Sequence, residues 1–68
     1  MKERATIIAV KNGIPQGYIQ SVSYVKKNFV VTKNKALAKG YVKQDRLHKE
    51  IDFLTSIAYQ NGYTFMYN

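Results

Sequence analysis

The hydrophobic period of this chain changes at Thr32, and that change restricts the fold more than any other feature. Upstream of it, residues 5–10 (Ala-Thr-Ile-Ile-Ala-Val) are rich in β-branched side chains and apolar on both alternating faces. That pattern suits a central strand better than an edge. Asn12-Gly13, Pro15 and Gly17 then punctuate a loop. Residues 18–25 predict a second strand, with Tyr18, Val22 and Tyr24 on one face and Gln20 as a polar interruption. Lys26-Lys27-Asn28 predicts a tight turn into a third strand at residues 29–32.

Downstream of Thr32 the apolar residues step by three and four. Thr32 reads as the N-cap of a short helix over residues 33–39, with Ala36 and Leu37 as its apolar contacts and Gly40 as its stop. Leu47, Ile51, Leu54, Ile57 and Ala58 fall within one arc of a longer helix over residues 45–60. Asp45 suits its positive end and Asn61-Gly62 its termination. Residues 63–67 (Tyr-Thr-Phe-Met-Tyr) read as a last strand. The order β-β-β-α-α-β predicts one α+β domain over residues 1–68. It has a single antiparallel sheet of about four strands and one long helix packed on one face. The pattern leaves strand order open, with a place for the last strand beside the first.

At 68 residues such a domain buries only about 60 % of its unfolded surface, and with no Cys it has no disulfide to help. Large side chains are therefore needed inside. Tyr63, Phe65 and Tyr67 read as packing under the long helix against Leu54, Ile57 and Ala58. The competing reading is an open base-stacking platform, but the Arg/Lys-Gly-aromatic run of RNA-recognition strands is absent from the sequence.

The formal net charge is +7, and it is unevenly spread. Residues 26–44 carry Lys26, Lys27, Lys33, Lys35, Lys39 and Lys43 with no acid, whereas residues 45–68 sum to −1. Such a cluster repels itself and becomes favourable against a polyanion, whose counterions it releases. Tyr24, Phe29 and Tyr41 are interleaved with these lysines, and aromatics beside a basic groove stack on unpaired bases. The lysines with Tyr24 and Tyr41 are thus the candidate surface for DNA, RNA, a nucleoprotein or an acidic partner. A solvated lysine face is the plain alternative, since Lys lacks the bidentate fork of Arg. A protein interface is a further class, with Tyr18 and Tyr59 as anchors, Tyr59 lying off the apolar arc of the helix. Self-association is a third class, if Tyr63 to Tyr67 form an edge.

Other chemistry has little support. His48, Asp52 and Ser56 follow one side of the helix, but His48 and Ser56 are about 12 Å apart along its axis, too far for a catalytic relay. One His and no Cys fall short of a zinc set, and the four glycines form no phosphate loop. We therefore expect no catalytic residue, metal or cofactor. The apolar run at residues 5–10 is too short for a signal-peptide core or a membrane span, and the helix lacks the basic polar face that a membrane surface requires. The expected compartment is the cytoplasm.

The string Tyr18-Ile19…Phe29-Val30-Val31-Thr32-Lys33-Asn34…Ala36…Ala38-Lys39-Gly40-Tyr41 resembles small uncharacterised proteins encoded by phages and prophages of Gram-positive bacteria. In these a strand hairpin ending in Thr leads to a short Ala-Lys helix, an aromatic, a longer helix and a final strand. The resemblance covers roughly residues 18–67 and includes no catalytic or ligand motif. It implies a binding role in a host cytoplasm. The partner that the resemblance implies is nucleic acid, or a host enzyme or defence complex, CRISPR effectors among them.

Overall fold

Asn12 and Gly13 both take positive φ, 53° and 82°, so the chain reverses in two residues. This handedness matches the twist of the strands on either side, which is why Asn-Gly is favoured there. The expected loop through Pro15 and Gly17 is therefore a tight hairpin. The computed structural model describes residues 4–68. The hairpin joins β1 (Ile7–Lys11) to β2 (Ile14–Ser23), which leads into β3 (Asn28–Thr32). The helix α1 (Gln44–Ala58) and the last strand β4 (Tyr63–Tyr67) follow. All strand pairs are antiparallel and the order is β3-β2-β1-β4, with the apolar β1 central as expected. The last strand does lie beside the first, from Ile7 opposite Tyr67 to Lys11 opposite Tyr63.

Two bulges shape β2. At the first, Val10 pairs with Pro15 while Ala9 pairs with Gly17, which leaves Gln16 as the extra residue. Pro15 is tolerated because β3 begins its pairing only at Tyr18, so among the described residues no strand flanks that side of β2 at Pro15. At the second, Ile19 pairs with Val31 and Ser21 with Val30, so Gln20 is the extra residue. One inserted residue reverses the alternation. Ile19 and Val22 consequently both serve the core, and Tyr18 turns to the opposite face beside Ile8. Tyr18, Val22 and Tyr24 therefore do not share a face. Tyr24 lies in the turn at residues 24–27, where Lys27 has a φ of 54°.

The expected helix over residues 33–39 is a single 3₁₀ turn, Lys35–Leu37. Its cap is Asn34, whose side chain accepts the Ala36 N–H at 3.0 Å, while Thr32 accepts the Asn34 N–H at 3.1 Å. Leu37 is exposed, and so short a segment without a buried face does not sustain a helix. α1 closes one face of the sheet with Leu47, Leu54 and Ala58 buried and Ile51 and Ile57 half-buried. A 3₁₀ turn, Tyr59–Asn61, and a left-handed Gly62 end it. The sheet curls until Phe29 of β3 meets Tyr63 and Phe65 of β4 edge-on, at 5.4 and 5.5 Å between ring centres. Tyr63 and Phe65 are thus core residues, whereas Tyr67 stays half exposed against His48. Among the described residues no helix is long and apolar enough to cross a membrane.

The two hairpin glycines predict different costs. A Cβ on Gly13 meets nothing within 4 Å, so Gly13→Ala costs only the left-handed backbone penalty, about 1–2 kcal/mol. At Gly17, with φ 142°, a Cβ falls 2.6 Å from the Thr32 carbonyl oxygen and pushes β3 off its neighbour. Urea unfolding is expected to show Gly17→Ala as the more destabilised by at least about 1 kcal/mol.

Candidate functional site

Glu50 is the acid that organises this surface. On the helical wheel it falls between Leu54 and Ile57, inside the apolar arc, and its side chain is only 1 % exposed. Its Oε1 accepts the Lys39 ammonium at 2.8 Å and the Tyr41 hydroxyl at 2.9 Å. Burial pushes the Glu50 carboxyl above its usual range. It also pushes the Tyr41 phenol up to about 12, against the opposing pull of Arg46, so the hydroxyl remains a donor at neutral pH. Burial, and then repulsion by Arg46, lower the Lys39 ammonium. The backbone of this segment is fastened as well. Lys39 N–H donates to Ile19 C=O at 2.9 Å, and Tyr41 exchanges two bonds with Ala5 at 2.8 and 3.0 Å.

These contacts revise the sequence-based surface. Tyr41 is 5 % exposed and belongs to the core, so its ring is not offered to a base. Lys39 is held in an ion pair, although part of its side chain remains accessible. Lys26 and Lys27 precede β3 while Lys33 and Lys35 follow it, so the two pairs are separated by a strand about 17 Å long. The acid-free stretch therefore does not form one continuous patch.

A different cationic strip does form. Lys43 occupies the N-cap position of α1 with no side-chain cap bond. It lines a groove of about 270 Å³ together with Lys39, Gly40, Tyr41, Val42 and Arg46. Arg46 also lines a neighbouring groove of about 360 Å³, shared with Tyr24, Lys49 and Glu50. Tyr24 is 46 % exposed, its ring resting on Phe53 with 4.3 Å between centres. The strip thus runs through Lys43, Lys39, Arg46 and Lys49 and ends at an aromatic face. Arg46 and Lys49 escaped the sequence reading because segment 45–68 sums to slightly acidic. The signal lay in Glu50, whose place in the apolar arc takes that charge off the helix surface.

The remaining candidates fall elsewhere. Tyr59 is 67 % exposed at the end of α1. Tyr18 lines an apolar groove of about 480 Å³ on the sheet face away from the helix, with Ile8, Val10, Pro15, Gly17 and Met66, and with Lys33 at its side. The His48 ring contacts Tyr67, and the Ser56 hydroxyl donates to the Phe53 carbonyl at 2.7 Å.

Because the Glu50 carboxyl binds its proton more tightly in the folded chain than in the unfolded one, protonation favours the fold. Its contribution is most favourable below the ordinary carboxylate pKa and declines as pH rises through the raised folded value. Urea unfolding across the mildly acidic range should show wild type losing stability relative to Glu50→Gln as pH rises. Tyr41→Phe removes one of the two donors to Glu50 and should cost about 1–3 kcal/mol at neutral pH.

No protein-family model, curated protein or solved structure matches this chain.

Proposed function

We propose that this chain is a small non-enzymatic binding protein whose cationic strip engages nucleic acid or a nucleic-acid-handling complex. The observation that carries this reading is Arg46, which joins two adjacent grooves into one track lined by Lys39, Lys43 and Lys49 with Tyr24 at its end. Ammonium and guanidinium groups along a groove follow a phosphate backbone without reading its sequence. An exposed aromatic at the end of the track adds stacking on an unpaired base. Arg46 also supplies the planar fork for bidentate phosphate contact that the lysines lack.

A second reading rests on the apolar groove around Tyr18. There the chain acts as an inhibitor of a host protein by direct contact, of the anti-defence kind that the phage resemblance implies. Lysines such as Lys33 would steer it onto an acidic surface.

Fluorescence anisotropy with a single-stranded oligonucleotide separates the two. Binding is expected to weaken steeply with salt, and Lys43→Glu and Arg46→Glu should each lower affinity about tenfold and reduce the salt slope by about one. Lys26→Glu should have a smaller effect, because it lies off the strip. Absence of binding at low salt, together with capture of a host protein that survives nuclease treatment and is lost in Tyr18→Ala, would establish the second reading instead.

A further inference from the structure

The two outer strands of the sheet are defended very differently. β3 has Lys26 and Lys27 before it and Lys33 and Lys35 after it, the kind of charge that keeps an edge from pairing with another chain. β4 has no such protection. Residues 59–68 contain no Lys, Arg, Asp, Glu or Pro, and the β1–β4 register runs without a bulge. Among the described residues, no strand pairs with the outer side of β4.

The register shows which backbone groups that side presents. Thr6 and Asn68 exchange both backbone bonds, at 3.1 and 3.0 Å, and Asn12 N–H donates to Gly62 C=O at 2.9 Å. Bonded and non-bonded pairs alternate along an antiparallel ladder. Thr64, Met66 and Asn68 therefore turn their N–H and C=O groups toward β1, as Gly62 does its C=O alone, its N–H donating to the Tyr59 carbonyl at 3.0 Å. Tyr63, Phe65 and Tyr67 turn theirs outward. This set is self-complementary. A second β4, antiparallel and related by a two-fold axis at Phe65, sets Phe65 opposite Phe65 and Tyr63 opposite Tyr67, with every outward donor facing an acceptor.

We infer that β4 is a homodimerisation edge, at which a second copy of this chain extends the sheet across a two-fold axis. Charge favours this occupant at this edge. A chain of net +7 meets its own copy with least repulsion along the strand whose own residues carry no charge: four lysines flank β3, whereas beside β4 the Lys11 ammonium lies over the Tyr63 ring, 5.5 Å from its centre. The pairing also sets aromatic side chains opposite one another on the helix-covered face, a favourable cross-strand arrangement. The exposed side chains of Met66, at 58 %, and Tyr67, at 51 %, are then partly covered. Because α1 lies on the same face in both copies, the dimer presents two cationic strips on one side.

Sedimentation equilibrium from low micromolar to millimolar concentration tests this, with amide exchange as a local readout. The expected result is a reversible monomer–dimer equilibrium that strengthens with added salt, opposite in sign to nucleic-acid binding. Protection of the Tyr63, Phe65 and Tyr67 amides should rise with concentration, while Thr64 and Met66 are already protected in the monomer. Thr64→Lys, at an exposed position beside the two-fold axis, should weaken association about tenfold with an unchanged circular dichroism spectrum, whereas Val30→Lys on β3 should leave it unaltered. A monomer at every concentration overturns the inference. So does a dimer that survives Thr64→Lys, or one whose formation leaves those three amides unprotected. None of these results bears on binding by the cationic strip, which is read by its own salt dependence.

Discussion

A single carboxylate, carried by the helix into the core, locates three parts of this molecule at once. Glu50 receives Lys39 and Tyr41 from the connection that precedes α1. That connection is also bonded to β2 through Ile19 and to the chain before β1 through Ala5. Burying an ion pair seldom stabilises a fold more than apolar packing of the same volume would. Its effect is selective: a helix shifted along its axis would leave the carboxylate under hydrocarbon with no donor, so only one register is tolerated. The cationic grooves follow from this, because the same pinning sets Lys39 and Lys43 beside Arg46 at the start of the helix.

Much of the architecture was legible because burial imposes periodicity. The apolar β1 had to be flanked on both sides, and the arc from Leu47 to Ala58 had to lie on a sheet. What escaped the pattern was whatever breaks alternation without changing composition. Gln20 reads as a polar residue in a strand, yet as a bulge it moves Tyr18 to the opposite face. Pro15 and Gly17 read as loop residues, but Pro15 falls on a stretch of β2 that β3 does not reach, and Gly17 lets the bulged strand pass close to the Thr32 backbone. The helix expected after Thr32 has its cap at Asn34 in place of Thr32, and too little apolar surface to extend beyond one turn.

The site was legible in its charge and not in its geometry. Counting charges by segment assigned the basic surface to residues 26–44, but a count takes no account of burial. Glu50 faces inward from the acidic segment and Lys39 follows it, so the strip draws on both segments and includes Arg46 and Lys49. Tyr41 illustrates the same limit. An aromatic among lysines suits a stacking role until its hydroxyl is found to serve a buried acid. Tyr24 stays at the surface because the turn holds it against Phe53 with one side open.

The strand order also governs how the fold is completed. β1 is the most apolar strand, and one of its two neighbours arrives only after the 3₁₀ turn, the connection and α1 have been made. Setting Ile7 opposite Tyr67 closes almost the whole chain into one loop, at an entropic cost of roughly 3–4 kcal/mol for a flexible segment of that length. The β1–β2–β3 meander requires only local contacts, so it is the part able to assemble first. Until β4 docks, the backbone of Ile7 to Val10 forms an open, uncharged edge. β4 therefore acts as a cover for the stickiest strand of the molecule, and losing its residues would bare that strand while also taking Tyr63 and Phe65 out of the core.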